Sequence, residues 1–360
     1  MPDGSRETPG LAVRAVQEWF GEHVPAAAGP LRFDVVVGGG HSNIIYRVTD
    51  SGGRSFALRR PPLGAHPPGA HDVIREARVL SALGPSAVPV PRVLAVCDDA
   101  EITGAPFVVM TWVDGHVVAT PGDVERILPD PSTRQRAAWE LVDALADLHG
   151  VDVTAVGLGD LSPRGDFIAR ALRGWLRVWD RVRTRDLPVV TELADRLGRS
   201  RPQRSRTGLV HTDFRFGNVM LGSDGRVVAV LDWELASVGD VLADIGVLLN
   251  SWELPADATP PVWMQTPPTR AAGFPDRTAI IDRYAERTGF DLADLADVAY
   301  YRAFAYWRMA VIAEGVKRRY ESASLAGSPV DFAHLDRRVI DLTELADLQL
   351  RAFTLRASTA

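Results

Sequence analysis

The stretch from Leu209 to Glu234, LVHTDFRFGNVMLGSDGRVVAVLDWE, sets His211, Asp213 and Asn218 ahead of two β-rich runs and Asp232 just after them. The runs flank Gly222-Ser223-Asp224-Gly225, a hairpin signal, so the chain should go out and back and bring Asn218 and Asp232 to the same end. An amide oxygen and a carboxylate there are hard ligands of the kind Mg²⁺ takes alongside phosphate oxygens. Asp213, in the loop entering the hairpin, is placed to accept a proton from an attacking hydroxyl. Taken singly, each of these residues also suits a turn hydrogen bond, a strand-end cap or a core histidine. Their joint spacing around a hairpin favours phosphate chemistry.

Elements on either side must position that stretch. Residues 11–24 carry apolar side chains at helical spacing, and 31–60 alternate apolar and polar residues in three runs, predicting three antiparallel strands with a glycine loop at 38–40 and a tight turn at 51–53. A short helix follows in HDVIREARVLSAL, then two β-rich runs, VPRVLAVCDD and APFVVMTWVDG. After Gly115 the pattern turns to long helices, near 132–149 and 166–183 and again beyond Gly239, with a surface connection at GRSRPQRSRTG and a proline-rich loop at 255–268. A small sheet followed by helices predicts an α+β fold with an N-lobe at 1–113 and a C-lobe at 114–360.

Composition excludes several functions. A formal charge of −6 and pI near 5.8 supply no basic field for nucleic acid. Cys97 is the only cysteine, which suits a reducing cytoplasm, and neither a signal peptide nor a run of about 18 apolar residues is expected, so no membrane partner is predicted. Lys317, the only lysine, follows a valine; a Walker A loop needs lysine directly after glycine, so a P-loop NTPase is excluded.

The pattern His-x-Asp, Asn five residues on, hairpin, Asp resembles the catalytic segment of the protein-kinase-like superfamily. The wording HTDFRFGN … LDWELASVGDVLADIG is similar to the aminoglycoside phosphotransferase family, and closest to its branch related to the kinase-like half of fused acyl-CoA dehydrogenases. GGGHSNIIYRV, FALRRPP, IREARVLSAL, FVVMTWVDG, LADLHGVD and DRYAERTG occur in the order expected, so the resemblance covers most of the chain.

That resemblance implies a bilobal kinase-like fold and transfer of the γ-phosphate of ATP, with Mg²⁺, to a hydroxyl of a small molecule. Asp213 would be the base, Asn218 and Asp232 the metal ligands, His211 a hydrogen-bonder of the loop, and Arg215 a clamp on the transferring phosphate. Asp240 and Asp244 would cap the next helix and brace the loop. On the nucleotide side FALR stands where Val-Ala-Ile-Lys is usual, making Arg59 the phosphate cation and Glu76 its helix partner; an arginine fork is not equivalent to a compact ammonium. Gly39, Gly40, Ser42 and Asn43 would drape over phosphates, Met110 would line the adenine pocket, and the backbone of Thr111 and Val113 would read the adenine edge. A nucleotide-binding or nucleotide-free interaction module is the alternative, because of Arg59. LDWE in place of Asp-Phe-Gly, with no Ala-Pro-Glu segment, argues against a protein kinase.

For the acceptor, the branch points to hydroxyacyl-CoA esters ahead of aminoglycosides. The run YYRAFAYWRMAVIAEGVKRRY offers Tyr300, Phe304 and Trp307 on one stripe, with Arg302, Arg308 and Arg318 elsewhere, as a groove for such a molecule or as plain helix core.

Overall fold

Val16, Trp19 and Phe20 fall at i, i+3 and i+4, the spacing that gives a helix a single apolar stripe, and all three are buried in α1 (Val13–His23). In the computed structural model the described residues are 8–36, 43–63, 71–161, 165–202, 206–257, 266–291, 297–321 and 331–357. The stripe packs on a five-stranded antiparallel sheet of β1 (Arg32–Val35), β2 (Ile44–Thr49), β3 (Ser55–Arg60), β4 (Val93–Cys97) and β5 (Phe107–Thr111), ordered β1-β2-β3-β5-β4. Trp19 meets Phe107 edge-on at 4.7 Å between ring centroids, over a core that includes Phe33, Tyr46, Phe56 and Leu58. Alternation along β3 then decides which arginine can serve a site. Phe56, Leu58 and Arg60 share the core face, where Arg60 donates to the carbonyls of Gly10 and Thr103; Arg59 points to the opposite face.

The chain divides into two compact units, one of residues 1–115 with 228–236, the other of 116–227 with 237–360. The first therefore recaptures a segment that a single cut at 113/114 assigns to the C-lobe. Its cause lies in α2 (Val73–Leu83): Arg75 donates to the carbonyls of Glu234, at 2.9 Å, and Ala236, while Glu76 accepts from the Trp233 N–H at 3.3 Å.

A four-residue helix, α3 (Ala100–Thr103), completes the first unit. The second is mainly helical: α4 (Pro121–Ile127), α5 (Pro131–His149), α6 (Phe167–Val182), α7 (Pro188–Arg199), α8 (Leu242–Ser251), α9 (Arg277–Thr288), α10 (Val298–Glu321) and α11 (Phe332–Ala357). The architecture is α+β.

Strands β6 (Thr207–Val210) and β9 (Ser237–Asp240) pair antiparallel and frame residues 211–236 in sequence. Between them β7 (Val219–Leu221) and β8 (Val227–Val230) flank the expected turn, which is closed by the Gly222 N–H to Arg226 and the Gly225 N–H to Gly222. Among the described residues no helix is long and apolar enough to cross a membrane.

The aromatic stripe of α10 is core. Tyr300, Phe304 and Trp307 are all buried; the Tyr300 hydroxyl donates to the Leu197 carbonyl and the Trp307 indole to that of Val190. These rings fasten α10 to α7, so they form no acceptor groove.

Candidate active site

In the first unit Arg59 is the centre of a buried charge cluster. Its Nε lies 2.6 Å from Glu76 Oε2 and its Nη2 3.0 Å from Asp232 Oδ1, and its side chain is 11% exposed. Burial works against the arginine charge, but Glu76 and Asp232 outweigh it and hold its pKa above the ordinary value. Glu76 is pushed up by burial, against the pull of Arg59. Asn43, 1% exposed, completes the shell: with its amide oxygen turned to the guanidinium it accepts from Nε at 3.1 Å and Nη2 at 3.0 Å.

Asp232 adopts φ 66°, uncommon for a residue with a side chain, just before Trp233, whose fully buried indole donates to Val230. Met110 is buried on β5 opposite Ala57, and the Thr111 N–H is taken by the Arg92 carbonyl at 2.9 Å. Val113 is half-buried. Gly39, Gly40 and Ser42 lie outside the described residues.

In the second unit Asp213 and Asn218 meet directly. The Asn218 amide nitrogen donates to both the Asp213 carbonyl and Oδ2, each at 2.7 Å, which leaves its amide oxygen as the atom able to bind a cation. The Asp213 side chain is 24% exposed, and Arg215 Nε stands 3.5 Å from its Oδ2.

The loop that carries Asp213 is organised from below by Asp244 on α8, which is fully buried. Its Oδ2 accepts from the His211 N–H at 2.7 Å and its Oδ1 from the Thr212 N–H at 2.6 Å. Burial alone would raise its pKa; the hydrogen bonds it accepts from His149 and from the His211 N–H hold it below the usual carboxylate range. His149 closes α5, with Nε2 3.2 Å from Asp244 Oδ2 and Nδ1 2.7 Å from the Tyr284 hydroxyl. An ionised Asp244 only accepts, so the His149 proton sits on Nε2 and Nδ1 accepts from Tyr284.

Asp240 lies one residue before the Val241 N-cap of α8; its Oδ1 takes the Leu242 N–H at 3.1 Å and its Oδ2 accepts the Tyr301 hydroxyl at 2.5 Å. His211 is buried, and its Nδ1 lies 3.3 Å from the Asp213 N–H.

Sequence reasoning gave no role to His149, Tyr284 or Arg75, and considered Arg308 only for an acceptor groove. LADLHGVD, DRYAERTG and IREARVLSAL carry the first three, without any spacing that announces their contacts; Arg308 reaches the loop from a remote helix. Asn218 and Asp232 each carry a hard oxygen donor; within its own unit Asp232 is paired with Arg59, and the Asn218 amide nitrogen is bonded to Asp213.

The sequence pattern of the phosphotransferase enzyme family matches residues 35–262. The chain belongs to that family. Mouse acyl-CoA dehydrogenase family member 10 is 31% identical over 323 residues, 87% of this chain. The chain spans only 29% of that relative's length.

A solved structure from Ralstonia eutropha, named a candidate aminoglycoside phosphotransferase, is 28% identical with TM-score 0.75, covering 94% of this chain and 98% of its own. An amicoumacin kinase in complex with AMP-PNP, Ca²⁺ and its antibiotic shares the fold at 16% identity and TM-score 0.59, covering 92% and 94% of the two chains. The fold is protein-kinase-like, and membership makes the chain a phosphotransferase of the small-molecule kinase class.

Proposed function

We propose that this phosphotransferase moves the γ-phosphate of ATP onto a hydroxyl of a small molecule, with Asp213 as the base. The observation that carries the reading is the Asp213–Asn218 pair over Asp244. It is a partly exposed carboxylate, oriented by an amide and mounted on a loop whose backbone is bonded to a buried anion. Asp213 would take the acceptor proton, and Arg215, already beside it, would meet the equatorial oxygens of the transferring group.

Asn218 and Asp232 would hold Mg²⁺, which neutralises phosphate charge when bound. Arg59, fixed by Glu76, would bind the nucleotide phosphates with Asn43 behind it. Met110, Thr111 and Val113 would form the adenine side, and Gly39, Gly40 and Ser42 the phosphate loop. No covalent enzyme intermediate is needed, because positioning and charge supply the rate.

Hydroxyacyl-CoA esters are the acceptors to try first. Support comes from the acyl-CoA dehydrogenase names of the relatives. Aminoglycosides follow, on the name of the Ralstonia structure.

The test is calorimetric titration of ATP with and without Mg²⁺ into the wild-type chain and Asp232→Ala. Mg²⁺-dependent binding that the variant loses is the expected result. Absence of binding in both conditions would overturn the reading and favour an interaction module in which Arg59 permanently occupies Asp232.

A further inference from the structure

The backbone just before Asp213 is strained, and two buried charges grip it from opposite sides. Thr212 sits at φ 70°, in the left-handed region that β-branched residues avoid. Its N–H, like that of His211, is held by Asp244. Its carbonyl accepts from Nη2 of Arg308, which reaches the loop from the middle of α10.

Arg308 is 6% exposed and forms no carboxylate ion pair among the described residues; its guanidinium lies 5.7 Å from the centre of the Trp175 ring, and its Nε has no hydrogen-bond partner there. Burial pushes its pKa down, while the charges of Asp213 and Asp244 oppose that shift. A cation kept at such a place, bonded to one backbone carbonyl, is poorly explained by packing.

We infer that Arg308 is a positioning residue of the phosphotransfer site, which with Asp244 clamps the Thr212 peptide in its left-handed conformation and so aims the Asp213 carboxylate. The anion takes the two N–H groups and the cation takes the carbonyl, so both ends of the strained residue are fixed by charge-assisted hydrogen bonds. Rotation of Thr212 into an ordinary region would turn the Asp213 side chain away from its Asn218 partner. The inference rests on Asp213 being the base, but the clamp itself can be measured without turnover.

Two measurements test it. The first is Mg-ATP hydrolysis in the absence of acceptor. Arg308→Gln should lower kcat by about tenfold or more while the KM for ATP changes little, as for other supports one bond removed from a reacting group. Arg308→Lys should recover part of the loss. Adding Thr212→Gly to Arg308→Gln should also recover part, because glycine adopts positive φ without a clamp; a residue needed only for the packing of α10 would show no such rescue.

The second is amide hydrogen exchange over His211 to Asp213. Protection there should fall about tenfold in Arg308→Gln, and by less in Arg308→Lys, while α10 stays protected. Unchanged kcat in both variants, or unchanged protection of those amides, overturns the proposal. If Arg308→Gln does not fold, Arg308→Lys carries both measurements. If the wild-type chain hydrolyses no ATP without an acceptor, the exchange result alone decides the clamp, while the ATP titration decides the function reading.

Discussion

At the scale of single residues, Asp213 on the loop and Asp244 on α8 beneath it are both carboxylates, and burial separates their roles. Asp213 is partly exposed and meets an amide and a guanidinium; Asp244 is sealed and meets three donors. Asp213→Asn should lower phosphate transfer by about 10² to 10⁴ while leaving ATP affinity near wild type, since proton acceptance contributes only in the transition state. Parallel loss of affinity in calorimetry would contradict the assignment.

Asp244 makes a stability prediction instead. Its pKa is depressed in the fold, so its contribution is complete above the unfolded value, about 3.9, and vanishes as pH falls through the lower folded value. Asp244→Asn should therefore lower the urea midpoint at pH 7 by a margin that shrinks on acidification below about pH 4. A gap that persists at low pH would show that charge is not what the loop needs.

Of these residues, Asp213 and Asn218 were legible because their contact spans five positions of one loop. The Thr212 clamp was not, because Arg308 lies 96 positions away and reaches the loop only through the packing of α10.

At the scale of elements, the first unit hangs its chemistry on β3 and α2, and each contributes through periodicity. Strand alternation sends Arg59 away from the core that takes Arg60; on α2, Arg75 holds the carbonyls of Glu234 and Ala236 and Glu76 holds the Trp233 N–H. Removing the arginine would strand a buried glutamate. Arg59→Ala should destabilise the chain by about 3–5 kcal/mol, whereas Arg59→Lys should lose less because the charge remains. Denaturant midpoints of the two variants measure the difference, and equal losses would mean that shape rather than charge holds the cluster.

Strong periodicity made α1, α2, α5 and α6 readable, and the glycine-rich turn gave the hairpin between β7 and β8. Strand β9 was hidden in SVGD, four residues with a glycine and no β-rich run, and becomes a strand only because β6 pairs with it. Helix α7 starts after Leu187 with no N-capping side chain, so the sequence carries no capping signal for it. Recapture of residues 228–236 by the first unit needs hydrogen bonds from α2, which no local pattern announces.

At the scale of the whole molecule, what distinguishes a working phosphotransferase from a folded relative without nucleotide is linkage between ligand and stability. A ligand that binds only the folded chain adds RT ln(1 + [L]/Kd), about 2.7 kcal/mol at a hundredfold excess over Kd. For a chain of this size that corresponds to a rise in Tm of about 3 to 6 °C with saturating Mg-ATP. The Mg²⁺-dependent part should vanish in Asp232→Ala. Arg215→Ala should retain it, because Arg215 is assigned to the transferring group in the transition state and lies beside Asp213. A scan in which both variants lose the shift would place Arg215 in ground-state nucleotide binding. A scan in which neither loses it would remove Asp232 from the metal site, leaving its ion pair with Arg59 as its whole role.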